Sequence, residues 1–349
     1  MAKKAITLRD VARKVGVHPS TVSRVLNADT RNMVSREVAI KVTKAAEELG
    51  YNLNPFARSL KTNRSFTIGV LIPDLTDPLF PPVIRGIENT LDAYGYTAIL
   101  ANSDNDQAHE RSSFEAMRAR KVDGFILATA HRSDELVDEC TNEGIPLVLI
   151  NRVVDNHSVP SVVNDDAAGL RMAVEHVAGL GHRAIGHVAG PQSLSTGFSR
   201  YTGFMSAMRG RGLKVPEGAI EIAEAFTEAA GHRAAKALLA RRPDITAIVT
   251  ANDMLALGCY DALEELGISC PEEISVTGFN DIPFVNKMKP PLTTLRIQHS
   301  EMGEEAARLL LRLIRDEPVG QISMVLKPSL IVRGSTAAAR AVNSVTCAM

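Results

Sequence analysis

The sequence predicts a two-part molecule: an all-α helix-turn-helix headpiece followed by an α/β body of two doubly wound parallel-sheet lobes. Three observations carry this. The chain has 349 residues, roughly two domains' worth at about 100–200 residues each. Its formal net charge of −1 hides an uneven distribution. Residues 1–64 carry 13 Lys/Arg against 5 acids, a net of +8, and the remainder carries 26 against 35, a net of −9. From residue 66 onward, short apolar runs alternate with amphipathic stretches, as expected of parallel strands joined by crossover helices.

Hydrophobic residues make up 45% and charged residues 23%, a globular composition that lacks the low hydrophobicity and high net charge of a disordered chain. No run approaches the 18 or so apolar residues of a membrane span, so no membrane partner is expected. Arg9 and Asp10 interrupt the start before a signal-peptide core forms, which points to the cytoplasm. Cys140, Cys259, Cys270 and Cys347 show no CxxC spacing, so incidental or buried thiols are expected rather than a disulfide framework or a zinc site.

In the head, Thr7 and Asp10 form a capping-box pair ahead of Leu8, Val11, Ala12 and Val15, one apolar stripe of a short helix. Gly16 supplies the backbone of a tight turn. A second helix spans residues 19–26, with Pro19 at its first position and Val22, Val25 and Leu26 inward. Ser20, Thr21, Ser23, Arg24 and Asn27 are left for other surfaces. A third helix starts at Ser35, buries Val38, Val42, Ala45, Ala46 and Leu49, and stops at Gly50. Helix, glycine turn and a second helix rich in small polar residues is the layout that inserts the second helix into the DNA major groove. A protein-docking helical bundle is the alternative, and the +8 charge favours DNA. Residues 54–61 then read either as a plain linker or as a short helix that forms on DNA and presents Leu60 to the minor groove.

The body's apolar runs are residues 67–72, 97–100, 124–128, 146–150, 184–189, 247–251 and 275–279, with helices near 81–94, 107–120, 167–180, 197–211, 229–240 and 254–266. Doubly wound sheets bind ligands beyond the carboxyl ends of their strands. Asp74 and Asp77, Asn151 and Arg152, Asn252 and Asp253, and Asn280 and Asp281 all stand just after strands. Helix capping accounts for such residues as readily as ligand binding does when each is taken alone. Their recurrence favours a polar ligand, with Phe80 or Phe226 available to cover an apolar sugar face.

Several runs together resemble the lactose/galactose-repressor (LacI/GalR) family of bacterial transcription regulators: Ile6-Thr-Leu-Arg-Asp-Val-Ala, Ser20-Thr-Val-Ser-Arg-Val-Leu-Asn27, Ala57-Arg-Ser-Leu60, Arg85-Gly-Ile-Glu88 and Pro291-Leu-Thr-Thr-Leu295. The likeness extends over nearly the whole chain and implies a periplasmic-binding-protein-like body. It implies that Pro19, Ser20 and Arg24 read bases and that Thr7, Thr21, Ser23 and Asn27 meet phosphates. Ala57, Leu60 and Lys61 would belong to a DNA-binding hinge. Pro19 departs from the family pattern, because it offers only apolar contact. By the same resemblance Leu79, Phe80, Arg152, Thr196, Arg200, Phe226, Asn252 and Asp281 surround an effector cleft. Asp74, Asn151 and Asp253 join them from their strand-end positions. A purine-responsive relative has an additional Arg where this chain has Leu194, which counts against a purine.

The expected organisation is a headpiece over residues 1–52 and a hinge helix and linker over 53–65. An effector-binding domain follows over 66–340, with lobes at about 66–163 with 294–323 and 164–291 with 325–340, and a tail over 341–349. The expected function is sequence-specific binding of a palindromic double-stranded DNA operator by a homodimer, most simply as a repressor. A sugar or sugar acid would control it, without a cofactor. A solute-binding receptor or a metabolite-processing enzyme with an accessory head is the alternative. No phosphate-binding loop, nucleophile elbow or HExxH is present, and no catalytic or metal-binding set is proposed.

Overall fold

A computed structural model of the chain describes residues 6–26, 30–51, 64–157, 159–319 and 323–340. It falls into two units, Met1–Ser65 and Phe66–Met349. Asn27, Ala57, Leu60 and Lys61, the expected hinge helix and the tail lie outside the described residues.

The first unit contains α1 (Leu8–Val15), α2 (Pro19–Leu26) and α3 (Arg36–Leu49). Helices of eight residues are marginal alone in water, so tertiary packing holds these. Val11, Val22, Val25 and Val42 form a shared core with Ala12, Ala39, Ala45 and Ala46. Val38 and Leu49, expected inside, are half-buried at its margin. The Asp10 carboxylate accepts from both the Thr7 N–H (2.9 Å) and its hydroxyl (2.6 Å) at the start of α1. Gly16 ends that helix at φ 72°, in the left-handed region where a side chain would be strained.

The second unit holds two six-stranded sheets with helices on their faces. The first contains β1 (Thr67–Ile72), β2 (Thr97–Asn102), β3 (Gly124–Leu127), β4 (Leu147–Ile150), β5 (Ser161–Asn164) and β11 (Ser323–Leu326), in the order β11-β5-β4-β3-β1-β2. The second contains β6 (Ile185–Ala189), β7 (Ile220–Ile222), β8 (Ala247–Thr250), β9 (Ser275–Asn280), β10 (Thr293–Arg296) and β12 (Ser329–Ile331), in the order β12-β10-β9-β8-β6-β7. Every pairing is parallel except β10 with β12. The helices are α4 (Phe80–Ala93), α5 (Gln107–Ala119), α6 (Glu135–Glu143), α7 (Asp166–Gly179), α8 (Ser195–Gly210), α9 (Glu228–Arg241), α10 (Asp253–Glu265) and α11 (His299–Ile314). Strands such as β3, β4 and β8 are buried along their full length, which is why they read as unbroken apolar runs.

Five strands and two helices have no counterpart among the expected elements: β5, β7, β10, β11, β12, α6 and α11. In β10 two fully buried threonines replace the apolar signal. The Thr293 hydroxyl accepts from the Arg333 N–H (2.9 Å), and the Thr294 hydroxyl donates to Asp253 (2.5 Å). The lobe boundaries shift accordingly. Asn164 pairs with Leu326 in the first sheet, and Thr294–Arg296 pair in the second, so the expected limits at 164, 294 and 325 each cut a strand. The chain instead crosses between the lobes beside Asp165, at Ile297 and Gln298, and at Lys327 and Pro328.

The helices α4 and α11 cross closely on the first sheet. A Cβ on Gly303 would stand 2.1 Å from the Val83 carbonyl oxygen, and one on Gly86 would stand 2.2 Å from that of Ser300. Gly303→Ala is therefore expected to destabilise the body by about 1–3 kcal/mol. Gly210→Ala, where a Cβ meets nothing within 4 Å, is expected to stabilise it by up to about 1 kcal/mol through helix propensity. Thermal melts of the two variants should move in opposite directions. Equal shifts would remove the close-crossing argument.

Candidate functional sites: an interlobe cleft and a basic headpiece

Each sheet reverses its winding once, between β1 and β3 in the first lobe and between β6 and β8 in the second. Ligands bind outside the strand ends at such switch points. Here the two switch points contribute to one cleft of about 620 Å³. Asp74, Asp77, His131 and Arg152 line it from the first lobe, and Ser193, Leu194, Phe226, Thr227 and Met254 from the second.

The first lobe supplies the buried polar groups. Arg152 is 6% exposed; its Nη1 donates to the Thr129 carbonyl at 3.3 Å, and its Nε has no partner among the described residues. Burial lowers its pKa to about 10, so it stays charged at neutral pH. The Glu110 carboxylate, held above its ordinary range by burial, accepts from the Thr129 hydroxyl on the far side. Asp77 accepts from the Leu79 N–H (2.9 Å), and burial pushes its carboxyl upward. Asp74 accepts from the Thr76 N–H and hydroxyl, both at 2.7 Å, and still lines the cleft. Asn151 sits at φ 65° with its buried Oδ1 unpartnered among the described residues. The Arg152 Nε needs an acceptor and the Asn151 Oδ1 a donor, and a hydroxyl can serve as either.

The second lobe is organised differently. Arg200, 2% exposed, donates to Asp166 (2.9 Å) and to the Ala251 carbonyl (2.8 Å), with Asn280 at 3.5 Å. Its guanidinium lies 4.0 Å from the Phe279 ring centroid and 5.9 Å from that of Phe226. Arg200 is thus satisfied by protein and does not line the cleft, contrary to the expected ligand role.

Other expected ligands are also occupied. The Asn252 Oδ1 caps α10 by accepting from the Leu255 N–H (2.9 Å). Asp253 is 1% exposed and accepts from the Ile282 N–H (2.9 Å) and the Thr294 hydroxyl. Asp281 is held by Arg296 and Arg333, both at 2.6 Å, so its neighbour Asn280 is the one that faces Arg200. Leu79 and Phe80 turn into the first lobe's core as α4 begins, and Thr196 is buried in the first turn of α8. Phe226, Asp74 and Arg152 are the expected side chains that line the cleft. His131 was missed: it follows β3 after Ala-Thr-Ala, with no acid or amide to flag that strand end. Burial and the nearby Arg152 lower its pKa.

One edge of the cleft is closed by contacts between the lobes. The Arg132 N–H donates to the Ser193 carbonyl (3.0 Å), its Nη1 to the Gln192 carbonyl (3.3 Å), and the Ser195 hydroxyl accepts from the Val153 N–H (2.9 Å). The Arg132 guanidinium stacks 3.7 Å over the Phe198 ring and is held from its own lobe by a two-pronged pair with Asp155, both bonds 2.9 Å.

In the headpiece, Ser20 and Arg24 are exposed on α2, Pro19, Thr21 and Ser23 are half-buried, and Arg24 has no ion-pair partner among the described residues. Thr7 is exposed, with its hydroxyl engaged by Asp10. Among the described residues no cluster of potential metal ligands occurs, no helix is long and apolar enough to cross a membrane, and Cys140, Cys259 and Cys270 are free thiols.

Comparison with known proteins adds the following. The family model described as periplasmic binding proteins and sugar binding domain of LacI family matches residues 65–327. The one described as bacterial regulatory proteins, lacI family, matches residues 7–54. The ribose operon repressor of Halalkalibacterium halodurans is 33% identical over 335 residues, 95% of this chain and 97% of that protein. The lac repressor dimer bound to operator and the anti-inducer ONPF has a TM-score of 0.83 against this chain, with 27% identity over 96% of this chain and 100% of that one. A LacI family regulator from Enterococcus faecium with bound ribose has a TM-score of 0.67 and 31% identity over 78% and 100% of the two chains.

Burial raises the Asp253 carboxyl to about 7, far above its unfolded value of about 3.9. The folded state therefore holds a proton there that the unfolded state releases, and this group's contribution falls as pH rises from about 4 through 7. Asp253→Asn removes the titration. The melting temperature of the variant minus that of the parent should rise between pH 5 and pH 8. A pH-independent difference would remove the assignment.

Proposed function

Because the chain belongs to the LacI family of bacterial regulatory proteins, we propose that it is a sequence-specific transcriptional repressor whose affinity for DNA is set by a small neutral sugar. The carrying observation is the union in one chain of a +8 headpiece, exposing Ser20 and Arg24 on its second helix, with a polar cleft between two lobes. The reading makes it a cytoplasmic homodimer, as the operator-bound lac repressor is a dimer, with two heads on a palindromic operator. The ribose operon repressor and the ribose-bound regulator support a sugar.

The charge around the cleft favours a neutral sugar over a sugar acid. Arg200 is neutralised by Asp166, and Arg233 at the rim by Glu224. Arg152 alone then faces Asp74 and Asp77, with Glu228 and Asp261 also lining the cleft. A carboxylate ligand only accepts hydrogen bonds and would be repelled by these acids, whereas hydroxyls donate to Asp77 and accept from Arg152. The Phe226 ring offers an apolar wall for a sugar face.

Three measurements test this. Affinity for selected operator DNA should fall by about 10³–10⁵ between 50 and 200 mM salt if 6–10 phosphates are neutralised; a flat response would sink the DNA reading. In a thermal-shift screen of the full-length protein against ribose, other neutral sugars and their acids, a neutral sugar at 100 times its Kd should add about 2.7 kcal/mol. Asp77→Asn, which keeps an oxygen for the Leu79 N–H, should weaken that sugar by about tenfold, the loss of one charge-assisted hydrogen bond. Stabilisation by acids alone would overturn the charge argument.

A further inference from the structure

The residue ahead of the second helix is a histidine, and its ring is engaged with the exposed Ser20. The His18 Nδ1 lies 3.2 Å from the Ser20 N–H, which donates to it, and 2.7 Å from the Ser20 Oγ. A backbone N–H can only donate, so Nδ1 is an acceptor and the ring proton resides on Nε2. The Ser20 hydroxyl must then also direct its proton at Nδ1, because two lone pairs 2.7 Å apart would otherwise repel. The ring thus caps the helix, taking the role a Ser, Thr, Asp or Asn side chain commonly fills, and it takes the only proton the Ser20 hydroxyl has to donate.

We infer that His18 is a positioning residue for base readout, fixing Ser20 as a hydrogen-bond acceptor so that Ser20 selects a base bearing an exocyclic amine. A free serine hydroxyl is indifferent, since it donates or accepts as its rotor allows. With its proton held by His18, the exposed Oγ presents only lone pairs. In the major groove the donors that satisfy a lone pair are the adenine N6 and cytosine N4 amines; guanine N7 and O6 and thymine O4 are acceptors and face it unfavourably. Ser20 stands at the second position of a second helix whose N-terminal residues enter the groove in this motif. The exposed Arg24 one turn on is suited to the opposite pattern, two donors onto the guanine O6 and N7. The two side chains then read complementary chemistry, an amine at one step and an acceptor pair at another. His18 keeps its Nε2–H free to donate, with no partner among the described residues.

This rests on the DNA-binding reading, and the experiment separates the two. The full-length protein is used to select duplexes from a randomised DNA library, and the recovered site is then varied one base pair at a time. Parent protein should enrich a site, and Ser20→Ala should lose discrimination at one step of each half-site by about 5–10-fold, a modest single-bond readout. At that step, deleting the exocyclic amine one strand at a time, with purine in place of adenine or 2-pyrimidinone in place of cytosine, should cost the parent the same discrimination on one of the two strands and cost Ser20→Ala nothing further. His18→Gly removes the ring but leaves a tolerated cap residue; it should relax the same step while leaving affinity for non-specific DNA and the headpiece melt nearly unchanged. His18→Asn restores an acceptor at the cap and should restore the preference. A parent that keeps its full affinity when the exocyclic amine is deleted from either strand at the step that Ser20→Ala relaxes would overturn the inference. So would His18→Gly leaving that step as selective as before. Failure to enrich any duplex would instead overturn the DNA-binding reading itself, and the inference with it.

Discussion

The guanidinium of Arg200 is a charge enclosed in protein, and the second lobe is arranged around that constraint. An unpaired buried charge costs several kcal/mol, so each donor needs an acceptor brought to it. Asp166 comes from the start of α7, the Ala251 carbonyl from the end of β8, and Asn280 from the end of β9, with the Phe279 ring stacked beneath. Burial raises the Asp166 carboxyl above its ordinary range, and Arg200 opposes that shift without cancelling it. One side chain therefore fixes the relative placement of two helices and two strand ends. The consequence for the cleft is a division of roles. The second lobe offers a wall with Phe226 on it, and the first lobe lines the cleft with Asp74, Asp77 and Arg152, whose Nε lacks a partner among the described residues.

The contacts around Arg132 hold that wall against the first lobe. They are made by loops that follow β3 and β4 on one side and β6 on the other, the same strand ends that frame the cleft. A ligand entering there bears on the two lobes and on their closure together. It can shift closure only by as much as it binds one arrangement better than the other. A handful of hydrogen bonds and one cation–ring contact, each worth on the order of 1 kcal/mol, is a barrier that a small ligand's differential affinity can match.

Much of the architecture was legible because buried parallel strands are apolar runs and their crossover helices are amphipathic. Where β10 substitutes buried, hydrogen-bonded threonines for aliphatic residues, the periodicity has nothing to register, and a lobe boundary was misplaced by three residues. The cleft was legible as a location but less so as a set of side chains. Asn252, Asp253 and Asp281 stand at strand ends as a ligand set would, yet one caps a helix, one accepts from the neighbouring strand and loop, and one is enclosed by two arginines. Composition at a strand end does not say which way a side chain turns, and the partner that decides it, such as Arg333 for Asp281, is distant in sequence. His18 shows the same limit in the head: the family resemblance marked Ser20 as a candidate reader, but not that its proton is already committed.

The three crossings between the lobes also impose an order on the molecule's birth. The first sheet is incomplete until β11, near the end of the chain, takes its place beside β5. Among the described residues, the core of the three-helix head draws on none beyond Tyr51. At bacterial-scale synthesis of about 5–20 residues per second, the head precedes a finished sensor by on the order of 10–50 s. A ribosome that stops early thus releases a folded reader with no complete chamber behind it. Such a fragment holds the headpiece surface while lacking the cleft through which a ligand could govern it.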